Sequence, residues 1–122
     1  MLRGIRGAIT VEKNEQQAVN EAVAELLRAL TEENQLDVEE IGAAIFSSTP
    51  DLTCAFPAAG ARLYGWDNVP LFGTVEIEHP QAPILCIRLL LLYNTELPQK
   101  AMRHVYLRQA ARLRPDIAQQ NE

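Results

Sequence analysis

A ten-residue apolar run, Ile84 to Tyr93, carries one charge, Arg88, near its middle. The run is about half the length of a membrane-spanning helix, which needs about 20 apolar residues. It therefore predicts a buried strand, with Arg88 on the same face as Cys86, Leu90 and Leu92. A guanidinium in such a strand must be paired or hydrogen-bonded to offset its desolvation. Two partners suit it: Glu76 on a neighbouring strand, or a bound anion. Both hold if an Arg/Glu pair forms the floor of a polar pocket.

The rest of the chain supplies elements around that strand. Met1 to Val11 reads as a short strand in which Gly4 and Gly7 flank Arg6 and allow close approach of a backbone or a ligand. Asn14 followed by Gln17 resembles a capping box, and Ala18, Val19, Ala22, Val23, Leu26, Leu27 and Leu30 then recur at helical spacing. Asp37 with Glu40 signals a short helical turn, and Ile41 to Thr49 a buried strand ending at Pro50. Pro57 opens a helix that stops before Gly65. Pro70 to Glu78 alternates, with Leu71, Gly73, Val75 and Ile77 on one face and Phe72, Thr74, Glu76 and Glu78 on the other. After His79 to Pro83 comes the Arg88 strand. Beyond it Pro98 to His104 suits a helix, and Val105 to Leu113 fits either period.

At 122 residues this is one domain, able to bury roughly two-thirds of the surface its unfolded form exposes. The element order suits a sheet with helices on one face, leaving the other to a partner, so self-association is expected. A net charge of −5 excludes nucleic acid as the main partner but leaves room for a small anion held by a local arginine group. The two cysteines, Cys54 and Cys86, lack CxxC spacing and are expected reduced, with no metal site. The N-terminus has no apolar signal core, so a cytoplasmic location without a membrane partner is expected.

Beyond Arg88 the candidates are less specific. Arg6 could supply a second guanidinium, although surface arginines are common. Tyr106, between Val105 and Leu107, is either an anion-facing hydroxyl or a core ring with a polar tip. Neither cysteine forms a recognisable nucleophile pair with His79 or His104. Arg103, Arg108, Arg112 and Arg114 read as a solvated basic face. Residue chemistry thus reaches an anion-binding domain.

A series of strings adds more: Arg3-Gly4-Ile5-Arg6-Gly7-Ala8, Thr10-Val11-Glu12, Thr49-Pro50-Asp51-Leu52, Phe56-Pro57-Ala58, Gly65-Trp66, Val69-Pro70, Glu76, Cys86-Ile87-Arg88, Pro98-Gln99, Arg103-His104-Val105-Tyr106-Leu107 and Leu113-Arg114-Pro115-Asp116. Together, and in this order, they resemble the monofunctional chorismate mutase family over nearly the whole chain. The resemblance implies an α+β fold: a single domain over 1–122, a mixed sheet covered by helices on one face, and a mobile tail over 115–122. It implies a homotrimer closing into a pseudo α/β-barrel, with active sites between subunits. The implied reaction is the cofactor-free rearrangement of chorismate to prephenate in aromatic amino-acid biosynthesis. By the same resemblance Arg88 reaches the ether oxygen of the breaking bond and a side-chain carboxylate. Arg6 and Tyr106 bind that carboxylate, Glu76 accepts from the ring hydroxyl, and Phe56 and Leu113 wall the pocket. Arg62 lies at its mouth, and Ala58, Phe72 and Gly73 complete the lining.

Three positions depart from the pattern: Gly73 stands where a cysteine is common, Phe72 where a threonine occurs, and Ala59 where a lysine occurs. A backbone group of Gly73 can still meet the hydroxyl. Two other readings of an interfacial arginine pocket are a trimeric imine deaminase and a non-catalytic anion-binding module.

Overall fold

The computed structural model describes residues 1–116. Five strands, β1 (Leu2–Thr10), β2 (Ile41–Ser48), β3 (Leu71–Val75), β4 (Cys86–Asn94) and β5 (Val105–Leu107), form one sheet in the order β3-β2-β4-β1-β5. β4 runs antiparallel to both β1 and β2, whereas β2–β3 and β1–β5 are parallel, so the sheet is mixed. The apolar run is thus the central strand.

Two helices, α1 (Gln16–Asn34) and α2 (Pro57–Tyr64), cover one face. α1 buries Val19, Ala22, Val23, Leu26, Leu27 and Leu30 completely, against Ile5, Ile9, Phe46, Ile87 and Leu91 from the sheet. A Cβ on Gly7 would sit 3.0 Å from a Leu30 methyl and 3.2 Å from a Leu26 methyl. The missing side chain is what lets α1 lie this close to β1.

Several expectations shift at element ends. Asn14 does not cap α1: the N-cap is Glu15, with no side-chain bond. Instead Asn14 Oδ1 accepts from the Thr53 and Cys54 backbone N–H groups, and its Nδ2 donates to Thr53 Oγ1, so it ties down the loop ahead of α2. The alternating strand closes at Val75 rather than Glu78, although the Glu76 N–H still donates to the Ser48 carbonyl at 2.8 Å. Ile84 and Leu85 precede β4, and Leu85 has a left-handed φ of 48°. The helix expected over Pro98 to His104 shrinks to a 3₁₀ turn at Gln99–Ala101, and the segment after β5 is a 3₁₀ helix, Arg108–Leu113. Residues 117–122, most of the expected tail, lie outside the described residues.

Candidate active site

Paired residues on neighbouring strands share a face, so the register defines the sheet surface opposite the helices. Ala8, Arg88 and Ser47 align across β1, β4 and β2, and Ser47 aligns with Thr74 on β3. The adjacent row holds Arg6, Leu90, Ile45 and Phe72. Arg88 therefore stands at the middle of the uncovered face. Its Nη1 lies 3.1 Å from Glu76 Oε1, the ion pair weighed from the sequence, but Glu76 is not on a neighbouring strand as expected: it follows the end of β3, which β2 separates from β4. The Arg88 side chain is 46% exposed and that of Glu76 23%, so this is not the deeply buried guanidinium that an apolar strand suggests. An ion pair this open contributes little to stability. Its value lies in presenting a charged fork and a carboxylate to whatever occupies the face.

The start of β4 is fixed by a clamp. Thr49 Oγ1 accepts from the Cys86 N–H at 2.9 Å and donates to the Asp51 carboxylate. Asp51 Oδ2 accepts from the Leu85 N–H at 2.9 Å, and the Thr49 N–H donates to the Cys86 carbonyl. Leu85 is held in its left-handed conformation by these bonds, and its carbonyl accepts from Val11 at 2.7 Å. Arg88 is three residues along from this anchor.

At the β5 edge, Tyr106 packs with Ala8, Cys86 and Ala110 in a second apolar cluster, with Leu113 against it. Tyr106 is buried, its ring part of that cluster. Burial pushes the Cys86 thiol up to about 11, with Glu76 and Asp51 adding to the rise against the opposing pull of Arg88. The thiol is protonated and inert at neutral pH. Arg108, at φ 56°, donates to the Thr10 carbonyl (2.9 Å) and to Glu25 Oε1 (2.9 Å), bracketing the 3₁₀ helix against β1 and α1.

At the β3 edge a cavity of about 700 Å³ opens between the loop before α2, α2 itself and β3. Phe56, Ala58, Arg62 and Gly73 line it, together with Ser48, Cys54, Ala59 and Thr74. A Cβ on Gly73 would meet nothing within 4 Å, so the position expected to carry a side chain is open space. Phe72 points to the other face, beside Arg88's row, and does not line the cavity.

The structure thus brings together Arg88 with Glu76, and Phe56, Ala58, Arg62 and Gly73 with one another. Arg6, one row along from Arg88 on the adjacent strand β1, and Tyr106, in line with Arg88 through Ala8, lie on Arg88's side of the sheet with Leu113, away from the cavity at the β3 edge. The two edges are four strand spacings apart, roughly 19 Å, so Arg62 and Tyr106 of one chain do not share a pocket. Ser47 and Thr74, in line with Arg88 and 3.4 Å apart at their hydroxyls, were not singled out in the sequence. Thr74 was legible from its alternation with Glu76; Ser47, in a run without polar periodicity, was not. Among the described residues no three His, Cys, Asp or Glu side chains converge in a way that could hold a metal.

A mixed sheet helix-covered on one face, with a guanidinium, a carboxylate and hydroxyls on the other, defines a small α+β domain equipped for a polar organic anion. The family model for chorismate mutase type I matches residues 2–117. A chorismate mutase from Thermus thermophilus is 50% identical over 118 residues, 96% of this chain and 97% of that one. Another from Bacillus subtilis is 39% identical over 119 residues, covering 97% and 94%. Among solved structures, a chorismate mutase from Clostridium thermocellum superposes with a TM-score of 0.85 at 38% identity, covering 88% of this chain and 96% of the other. The chain belongs to the chorismate mutase type I family, and its activity is that of an isomerase, a chorismate mutase. The deaminase and non-catalytic readings fall with that result.

Proposed function

We propose that Arg88 carries the rearrangement of chorismate to prephenate by meeting negative charge as it accumulates on the ether oxygen. The reaction is unimolecular: a carbon–oxygen bond breaks while a carbon–carbon bond forms, and no nucleophile or proton donor is required. Two things lower its barrier: holding the enolpyruvyl side chain over the ring, and stabilising charge on the departing oxygen. A guanidinium stays charged and offers planar, directional donors suited to the second task. The observation that carries the reading is the Arg88–Glu76 pair, open to solvent at the centre of the uncovered face.

In this reading Glu76 accepts from the ring hydroxyl, Arg6 and Tyr106 bind the side-chain carboxylate, and Phe56 and Leu113 form the apolar wall. Arg62 guards the mouth, and Ala58, Phe72 and Gly73 shape the rest, with a Gly73 backbone group available to the hydroxyl. The pocket is completed by a second copy: the β3 edge of one subunit faces the β5 edge of the next, and three copies close the ring. The separation of the two residue groups within one chain supports this, as does apolar surface on the uncovered face, where Phe72 is 66% exposed. The reading keeps the cytoplasmic location expected from the sequence, and it requires no cofactor.

Loss of chorismate's diene absorbance on adding purified protein follows turnover directly. Arg88→Lys keeps the charge and loses the fork, so kcat should fall by about 10²–10³ with the melting temperature unchanged. Comparable turnover in the folded variant would remove Arg88 from this role.

A further inference from the structure

The outer edge of β1 is closed in an unusual way where it carries Arg6. β5 pairs with β1 only from Gly7 to Ile9, so among the described residues no strand flanks the backbone before Gly7 on that side. Two side chains stand in for one. Gln99 brackets Gly4, accepting from its N–H at 2.9 Å and donating to its carbonyl at 2.6 Å. His104 Nδ1 then accepts from the Arg6 N–H at 2.9 Å. A backbone donor left without an acceptor at a strand edge frees that edge to shift.

The acceptor at Arg6 is conditional in a way that the amide of Gln99 is not. Imidazole accepts through Nδ1 only while that nitrogen is unprotonated. His104 is half-buried, and among the described residues the charged groups that lower its pKa are Arg6 on β1 and Arg114 beyond the last 3₁₀ helix, the latter paired with Asp116. Its desolvation and those two guanidiniums hold the imidazole neutral to below its ordinary 6.5. Protonation would turn the acceptor into an N–H facing the Arg6 N–H, and would add a third positive charge to the group.

From this arrangement we infer that His104 is a positioning residue: as a neutral acceptor it holds the Arg6 backbone so that the guanidinium is aimed at the substrate's carboxylate. The inference rests on the reading of Arg6 as a carboxylate ligand. It assigns His104 no contact with substrate. Its loss acts on binding, so it raises KM and leaves kcat nearly unchanged.

The test uses the full chain and steady-state kinetics from pH 7.5 to 4.5. In His104→Asn, the Oδ1 atom occupies much the same place as Nδ1 and cannot be protonated in this range. In His104→Leu the acceptor is gone. At pH 7.5 the Asn variant should keep KM within about twofold, while the Leu variant should raise it about five- to tenfold, the worth of one hydrogen bond. As the pH falls below 6.5, KM of the unaltered protein should climb relative to that of the Asn variant; ionisation of the substrate cancels in that ratio. An unchanged KM in folded His104→Leu, or identical acid limbs for the unaltered and Asn proteins, overturns the inference. If the Leu variant does not fold, the comparison of acid limbs decides by itself. Arg6→Ala separates the underlying reading: if it leaves KM unchanged, both fall; if it raises KM while the histidine variants behave like the unaltered protein, the positioning role alone fails.

Discussion

The two edges of this sheet solve the same problem in opposite ways. Any edge strand presents unpaired backbone groups and invites unwanted pairing. The β5 edge is sealed from within the chain: β5 is three residues long, a 3₁₀ helix folds over it, and Gln99, His104 and Arg108 satisfy neighbouring backbone groups. Among the described residues the β3 edge has no such cover. Around it Phe56, Phe72, Val75 and Ile77 are exposed, and the cavity opens beside them. Among the described residues one edge is finished and the other is open. Under the proposed trimer the finished edge is the template against which the unfinished one closes.

The sharpest way to break that comparison is to charge the unfinished side. Phe72→Asp puts a carboxylate on an apolar patch that a subunit contact would desolvate, at a cost of several kcal/mol per contact. Sedimentation should show the assembly reduced to monomers, with activity down at least about tenfold, while the far-ultraviolet spectrum of the monomer is retained. A folded variant that remains assembled would remove Phe72 from the contact. A smaller effect is expected at the finished edge. Arg108→Ala deletes the bond to the Thr10 carbonyl and an exposed ion pair with Glu25. Denaturant melts should show about 1 kcal/mol of lost stability, most of it from the first bond because the second is screened. The least disruptive comparison uses the two thiols. Cys54 is exposed at the open edge and Cys86 is buried under the sealed one. With its thiol near 11, Cys86 is about one-thousandth thiolate at pH 8. A thiol reagent should therefore label one cysteine quickly and the second only on unfolding; equal rates would show that the sealed edge opens.

Much of this was legible in the residues. The apolar run around Arg88 was readable as a strand, though not its central place in the sheet, and α1 was written in its periodicity. Glu76 was legible as a partner, but its route was not: it reaches Arg88 from beyond the end of β3, across β2, rather than from a neighbouring strand. What escaped was set by contacts distant in sequence. Asn14 has the chemistry of a helix cap, but the Thr53 loop, 39 positions away, offered it better-placed N–H groups. The exposure of Arg88 was hidden because hydropathy describes a strand and not the two faces of its sheet. The separation of Arg6 and Tyr106 from Arg62 and Gly73 depends on strand order, which no local pattern encodes. The resemblance that named these residues as one site said nothing about which of them a single chain would bring together.

The Thr49–Asp51 clamp has a consequence for how such a chain can change over time. The ten-residue excursion that follows β3, rich in proline and lacking helix or strand, re-enters the sheet at a point defined from outside itself, by hydrogen bonds to Leu85 and Cys86. Insertions or deletions within it are absorbed before that checkpoint and do not propagate into β4. Between Glu76, held by its ion pair with Arg88, and Leu85, held by the clamp, the excursion is thereby free to diverge in length and composition, while the phase of the central strand, and with it the direction in which its guanidinium projects, is inherited intact.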